Sequence, residues 1–167
     1  MPVLRIVNRS FRGLDKDDFL VIYKTFIRPH LEYCVQSWNP HFSKDEEVLE
    51  KVQKRATNCV KGMKGKKYLD RLHILGLTTL KRRRIRGDLI ETYKILSGKE
   101  NVDSETFFQL TESSQHTRGH SLKLYKRHCR LDSKKFFFSR RVVNSWNSLP
   151  QDIVESTIDQ LLQEAAR

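Results

Sequence analysis

The sequence predicts a mainly α-helical protein, a small helical bundle with at most one short hairpin or extended arm. Its 167 residues suffice for one compact domain, or for a small domain with a subdomain attached. Apolar residues recur at helical spacing in several segments that end at glycine or proline. One stretch, from His120 to Leu131, alternates loosely enough to be a strand or an arm. The length excludes large barrels and multidomain enzymes.

The first predicted helices flank a proline. Asp15 and Asp18 resemble a helix cap, and the spacing of the next apolar residues predicts a helix from about Lys16 to Arg28. Pro29 either kinks this helix or begins a second short helix through His30 to Gln36, because proline fits the first turn of a helix but not its interior.

The clearest helix signal follows Ser43. Ser43 and Glu46 have the spacing of a capping box, in which each side chain reaches the backbone amide of the other residue. One face of the helix is apolar and is expected to enter the core: Val48, Val52, Ala56, Cys59 and Met63. The opposite face is a basic ridge made of Lys51, Lys54, Arg55 and Lys61. Gly62 and Gly65 are expected to end the helix and to open the loop Lys64–Lys67.

Two further helices are delimited by glycine and threonine. The helix Tyr68–Leu75 is expected to end at Gly76, and Thr78 or Thr79 can cap the next helix, which runs to about Ser97. The predicted apolar stripe of this longer helix is Ile85, Leu89, Tyr93 and Leu96. Gly87 within it indicates a close backbone approach, because glycine is otherwise unfavourable in a helix interior.

The C-terminal part is predicted to contain a helix from Ser133 to Leu149, carrying Phe138, Val142 and Trp146, and a last helix through Ala166. The sequence therefore predicts a helical basic subdomain at 1–99 and an acidic loop with a short helical turn at 100–115. A basic and aromatic helical subdomain follows at 116–167.

The charge is concentrated in the middle of the chain. Lysine and arginine number 32 against 20 aspartate and glutamate, a net charge of +12. Residues 51–99 hold 15 basic and 3 acidic side chains, whereas residues 1–50 and 100–167 are nearly neutral. Within the last third, Arg118 to Arg141 holds 9 basic side chains and one acidic one, Asp132. Clustered basic blocks of this kind indicate a polyanionic partner, most commonly nucleic acid.

The first basic block contains an arginine run at a predicted helix start. The helix dipole is positive there, so local folding does not favour the run, whereas a phosphate group does. A solvated charge cluster and a short nuclear-import signal are the alternatives. Adding the ridge and the loop gives the predicted nucleic-acid-binding residues Lys51, Lys54, Arg55, Lys61, Lys64, Lys66, Lys67, Arg82, Arg83, Arg84 and Arg86.

The second block interleaves basic and aromatic residues, a pattern that suits base stacking combined with phosphate contact. Its predicted binding residues are Lys126, Arg127, Arg140 and Arg141. The alternative is a set of core aromatics flanked by solvated cations. Since Phe136, Phe137 and Phe138 must point in different directions on a helix, at least one is expected to be exposed or to lie at a subdomain contact.

Signals for an enzyme or a cofactor are weak. Asp17 and Asp18 suit a helix start better than a metal site, and the histidines and cysteines lack metal-ligand spacing. We therefore expect no catalytic residue, no metal and no cofactor. No apolar run approaches the roughly 18 residues that span a bilayer. Three widely spaced cysteines fit a reduced intracellular protein, in the nucleus or the cytoplasm.

Several segments, in this order, resemble the C-terminal region of a LINE-type (non-LTR) retrotransposon reverse transcriptase of the jockey and chicken-repeat kind. The segments are Arg28–Cys34 after Tyr23-Lys24, Trp38-x-Pro40, Leu49–Thr57, Arg71-Leu72, Leu75–Leu80 with the arginine run, Gly87–Glu91, Lys94-Ile95, Arg118–His120 and Phe137–Pro150. They cover about Pro2 to Glu155, and together they are specific although none is so alone.

The resemblance implies a thumb-like helical region that follows the polymerase palm. It implies a non-catalytic fragment of an RNA-directed DNA polymerase that binds RNA or an RNA/DNA duplex through backbone contacts. The metal-binding aspartates and the endonuclease domain of the family have no counterpart in this sequence. The partners implied are the nucleic acid and a palm domain in the parent protein. The alternative is a protein-interaction module or a retroelement relic with no present ligand.

Overall fold

The computed structural model describes residues 5, 6, 9, 13–111 and 119–154, and the described residues form two compact units. The first unit draws on Met1–Cys34 and Pro40–Arg83, and the second on Val35–Asn39 and Arg84–Arg167. The structure is mainly helical, as the sequence predicts. Along the chain, the two units meet between Arg83 and Arg84, inside a helix.

From residue 13 onwards, the first helix of the first unit is interrupted by a wide turn. Helix α1, Lys16–Ile22, continues through the π-helical turn Tyr23–Ile27 into α2, Arg28–Glu32, which has Pro29 in its first turn. Proline lacks an amide hydrogen, so a wide turn before it and a new helical turn at it are compatible with its chemistry. The second of the two alternatives for Pro29 is met only in part, because α2 runs on from the preceding turn and ends four residues before Gln36.

The first unit also contains α4, Ser43–Thr57, and α5, Tyr68–Leu75. The helix α6, Leu80–Leu96, begins in the first unit and continues into the second. The short α3, Val35–Trp38, belongs to the second unit. The predicted ends are confirmed at Gly76, which closes α5 with φ of 64°, and at Thr79, whose Oγ1 accepts from the Arg82 amide at 3.3 Å. The predicted capping box at Ser43 is wrong, because Phe42 occupies the N-cap and Ser43 is already the first helical residue.

The core of the first unit follows one stripe of α1 and its continuation, at a spacing of four residues: Phe19, Tyr23, Ile27 and Leu31. The predicted stripe on α4 is only partly correct. Ala56 and Met63 are buried, but Val48 is 58% exposed, and the polar Gln53 and Thr57 are buried instead. Hydrogen bonds compensate Gln53: its Oε1 accepts from Tyr23 Oη at 2.5 Å, and its Nε2 donates to the Thr78 carbonyl at 2.8 Å.

The second unit contains α3, the rest of α6, and the short helices α7, Ser104–Phe107, and α8, Asp132–Lys135. It also contains α9, Phe138–Asn147, and the short α10, Gln151–Val154. As predicted, Phe138, Val142 and Trp146 are buried together. On α6, Leu89 is buried, but Ile85 is 42% exposed, contrary to prediction. Gly87 shows no close approach, since a Cβ there would lie 3.7 Å from Val35 Cγ2, an ordinary contact.

The segment from residue 119 to 131 is an extended arm. Leu124 forms an isolated antiparallel bridge with Leu110, and Asn147 of α9 exchanges two hydrogen bonds with the Leu124 backbone at 2.9 and 2.8 Å. Phe108, within the predicted acidic loop, enters the core of the second unit. The last predicted helix, through Ala166, lies outside the described residues. Within the described ranges, no helix is long and apolar enough to span a membrane.

Candidate nucleic-acid interface

A buried arginine organises the basic surface of the first unit. Arg71 on α5 is only 9% exposed, and its guanidinium donates to the carbonyls of Lys54 at 3.1 Å and Lys66 at 2.8 Å. It also donates to Thr57 Oγ1 at 3.2 Å. The C-terminal turn of α4 and the loop before α5 are therefore held by one charged group.

This anchor brings together most of the basic residues predicted in the first block. The loop from Lys61 to Lys67 contains two glycines with positive φ, Gly62 and Gly65, which allow its successive turns. Seven of the predicted cations are exposed on α4 or on this loop, and we call them the basic surface: Lys51, Lys54, Arg55, Lys61, Lys64, Lys66 and Lys67. No ion pair joins any of the seven to another described residue.

The arginine run is not a single exposed patch, because a helix distributes consecutive residues around its axis. Arg82 is exposed, Arg86 is half-buried and Arg84 is buried at 2% exposure. The Arg83 guanidinium makes two hydrogen bonds to the Glu32 carboxylate, and these raise the pKa of Arg83. We therefore remove Arg83 and Arg84 from the candidate interface and retain the exposed Arg82.

The phosphate site predicted at the start of α6 is occupied by the protein's own carboxylate. Glu50 Oε2 accepts from the Leu80 amide at 3.2 Å, and Glu50 Oε1 accepts from the Tyr68 hydroxyl. Burial and this carboxylate raise the pKa of Tyr68, so the hydroxyl remains a donor. Glu46 also pairs with Lys81 at 3.0 Å. The anion that this helix start favours is thus supplied internally.

The second predicted patch is divided in the same way. Lys126 and Arg127 are exposed and Arg140 is half-buried, whereas Arg141 is committed to the interior of the second unit. Its Nε and Nη2 both donate to the Asp88 carboxylate at 2.9 Å, and it also binds backbone carbonyls of the same unit. Burial raises the pKa of Asp88, and the hydrogen bonds from Arg141 oppose that rise. We remove Arg141 from the interface as well.

The remaining candidates take structural or exposed positions. His120 is 3% exposed and its Nε2 lies 3.1 Å from the Trp146 carbonyl, so it is part of the core of the second unit. Phe137 is 61% exposed, which confirms that one of the three consecutive phenylalanines does not enter the core. Among the described residues, no histidine, cysteine and carboxylate side chains gather as metal ligands.

The sequence pattern does not reveal the side chains that bury or neutralise some of the cations and leave the others exposed. Arg71 was not among the predicted interface residues, because nothing in its local pattern distinguishes a buried arginine from an exposed one. Glu32, Glu50 and Asp88 were also missed as partners, since each acts across at least 30 residues of chain. The available signal was the near-neutral composition of residues 1–50, which supplies carboxylates for the basic middle third.

Comparisons of the chain with protein-family models, with curated proteins and with solved structures found no match.

Proposed function

We propose that this chain binds double-stranded RNA or an RNA/DNA duplex through phosphate contacts made by the basic surface, and that it does so without catalysing polymerisation. The observation that carries the proposal is the group of seven exposed cations, Lys51 to Lys67, which internal carboxylates leave unneutralised while they neutralise neighbouring cations. The sequence resemblance to the region beyond a polymerase palm supports the same ligand.

The helix dipole accounts for only part of this charge. Lys54 and Arg55 lie in the last turn of α4, where cations are favourable, but the dipole effect falls off within one turn. Lys51 lies three and four residues before them on the same helix, a spacing at which like charges repel. The four loop lysines have no helical reason for their charge. A line of phosphates relieves the repulsion along the helix and neutralises the lysines of the loop.

A salt titration of binding tests the proposal. Fluorescence anisotropy should be measured with labelled double-stranded RNA and with an RNA/DNA duplex of the same sequence. Six phosphate contacts predict a slope of log K against log salt of about −5, which is roughly a 10³-fold loss of affinity between 50 and 200 mM salt. Changing the duplex sequence should have little effect, because phosphate contacts carry no sequence information. A flat salt response, or no binding at low salt, would refute the proposal.

A matched pair of variants locates the surface. Replacing Lys54, Arg55 and Lys66 by glutamine should reduce the magnitude of the slope by about 3, since each lost contact removes about 0.9. The control replaces Lys16, Lys24 and Lys44, which are exposed lysines outside the basic surface, by glutamine with the same change in net charge. Equal losses in the two triple variants would show attraction by net charge alone and would contradict a defined surface.

The non-catalytic part of the proposal has its own assay. The isolated chain should extend no primer on an RNA template, with Mg²⁺ or Mn²⁺, because its sequence lacks the family's metal-binding aspartates. Primer extension that survives purification and disappears in a variant of this chain would contradict this part and leave duplex binding untouched.

A protein-interaction module is the second candidate, favoured by large apolar side chains that the first unit exposes. Val21, Phe26, Val48 and Leu69 are each more than half exposed. A region that packs against a palm domain in a parent protein is expected to present such side chains. Analytical ultracentrifugation distinguishes the candidates: self-association that V48S and L69S abolish, without duplex binding, favours an interaction module.

A further inference from the structure

The second unit contains a cleft of about 380 Å³ in which four cations converge. Lys126 and Arg127 come from the extended arm, Lys135 from α8 and Arg140 from α9. No carboxylate is among the described residues that line it. The exposed His128 and the half-buried Cys129 also line the cleft, and Val143 lies beneath it at 2% exposure. The cleft therefore combines a strongly positive region with an imidazole ring and a thiol.

Both sides of the cleft are held in place. Arg127 donates through Nε and Nη2 to Gln109 Oε1 at 3.2 and 3.0 Å, and the Gln109 carbonyl accepts from the Tyr125 amide at 2.7 Å. The hydrogen bonds between Leu124 and Asn147 tie the arm to α9, the helix that carries Arg140 and Val143. A ligand entering the cleft thus meets cations whose backbone is already ordered, which lowers the entropic cost of binding.

The lining specifies the chemistry of the ligand. Four cations in a concave site repel one another, and an anion that contacts several of them relieves the repulsion. The volume lies within the range of small-molecule sites, so the cleft has room for more than one phosphate group. The imidazole ring of His128, beside Cys129, suits a planar moiety attached to the anion.

We propose that this cleft binds a single nucleoside phosphate, either as a free nucleotide or as the phosphorylated end of a strand. The phosphate lies among Lys126, Arg127 and Arg140, and the base packs against His128 and Cys129. An adjoining smaller depression shares Arg127 and Arg140 and contains Glu105, whose carboxylate disfavours a second phosphate on that side. This site is separate from the basic surface of the first unit and does not depend on duplex binding.

The thiol of Cys129 provides a readout confined to the cleft. In the full chain carrying C34S and C59S, Cys129 is the remaining cysteine, and its alkylation rate by iodoacetamide can be followed by mass spectrometry. Uridine monophosphate should slow alkylation at least about fivefold at saturation. Uridine or inorganic phosphate at the same concentration should protect much less, because each satisfies only one part of the site. Protection by uridine monophosphate that is absent, or no greater than that by phosphate, would overturn the proposal.

Variants and oligonucleotides complete the test. K126Q and R140Q should each raise the nucleotide concentration needed for half protection about tenfold, as the loss of one charge-assisted contact predicts. The exposed Lys24→Gln variant is the matched control and should not change it. K126Q changes an exposed side chain, so it remains informative where R140Q fails to fold. Unchanged protection in K126Q contradicts the proposal.

The source of the phosphate is decided by comparing hexanucleotides with and without a 5′-phosphate. Protection by the phosphorylated strand alone assigns the cleft to strand ends, and protection by the mononucleotide alone assigns it to free nucleotides. Loss of duplex binding at the basic surface does not alter the alkylation rate, so the two proposals fail separately.

Discussion

Replacement of Arg71 by leucine is expected to destabilise the first unit and to weaken duplex binding, although the Arg71 side chain is not on the surface. The guanidinium makes hydrogen bonds at 2.8 Å to the Lys66 carbonyl, 3.1 Å to the Lys54 carbonyl and 3.2 Å to Thr57 Oγ1. Leucine fills part of the volume but donates nothing, so these acceptors lose their charged partner.

The magnitude follows from the acceptors left behind. Hydrogen bonds to a charged donor are worth about 1.5–3 kcal/mol each, but bonds that share one donor group are not additive. The Lys54 carbonyl retains the Thr57 hydroxyl at 3.2 Å, and the carbonyl of Lys66, an exposed residue, can gain water. We therefore expect a net loss of about 3 kcal/mol in the free energy of unfolding for R71L. R71K should lose about half as much, because its ammonium still donates to some of the acceptors but cannot span all of them.

Urea denaturation followed by far-ultraviolet circular dichroism should show this loss as a lower urea concentration at the midpoint of unfolding. The dependence of the free energy of unfolding on urea concentration should not change. R82L is the control, since Arg82 is an exposed arginine of the same unit. Salt titration of R71L should also show a shallower slope, because the loop lysines are no longer held beside α4. An R71L stability within 0.5 kcal/mol of the wild type would refute the anchoring role.

Three further predictions concern groups that sequence reasoning did not identify. E50A should lower stability by about 1–2 kcal/mol, since the Leu80 amide and the Tyr68 hydroxyl lose their acceptor; an equal effect of E47A, an exposed neighbour, would contradict this. D88A should lower the free energy of unfolding by about 3–5 kcal/mol, because it leaves the Arg141 guanidinium buried without its carboxylate, and D88N should lower it less. Thermal unfolding that ranks the two variants otherwise would be inconsistent with a buried ion pair. Burial lowers the pKa of His120 below the ordinary 6.5, and the charge of Lys123 adds to this. The unfolded chain therefore takes up a proton first as the pH falls below 6.5, and stability declines there by at most about 1.4 kcal/mol per pH unit until the folded pKa is passed. H120Q should remove this decline relative to the exposed control H73Q, as measured by urea midpoints between pH 5 and 7.5.

Much of the helical framework follows from local chemistry that the sequence displays. Gly76 ends α5 because the left-handed conformation at its φ of 64° suits glycine, and Thr79 caps α6 through its own hydroxyl. Phe138, Val142 and Trp146 enter one core because a spacing of four residues places them on one helical face. The errors arise where tertiary partners override the pattern. Val48 fits the apolar stripe of α4 but is exposed, while Gln53 is buried because Tyr23 and the Thr78 carbonyl satisfy its amide.

The candidate interface likewise depends partly on local sequence pattern and partly on tertiary packing. The sequence alone determined that the positive charge lies in residues 51–99 and that a helix and a lysine loop carry much of it. The tertiary structure decided which of those charges face solvent. Glu32 neutralises Arg83 across 51 residues of chain, Glu46 pairs with Lys81 across 35, and Glu50 occupies the start of α6 across 30. Sequence periodicity reports contacts within about one helical turn, whereas ion pairs at these separations depend on how the helices pack. The pattern of residues therefore located the charge, and the packing left the basic surface exposed.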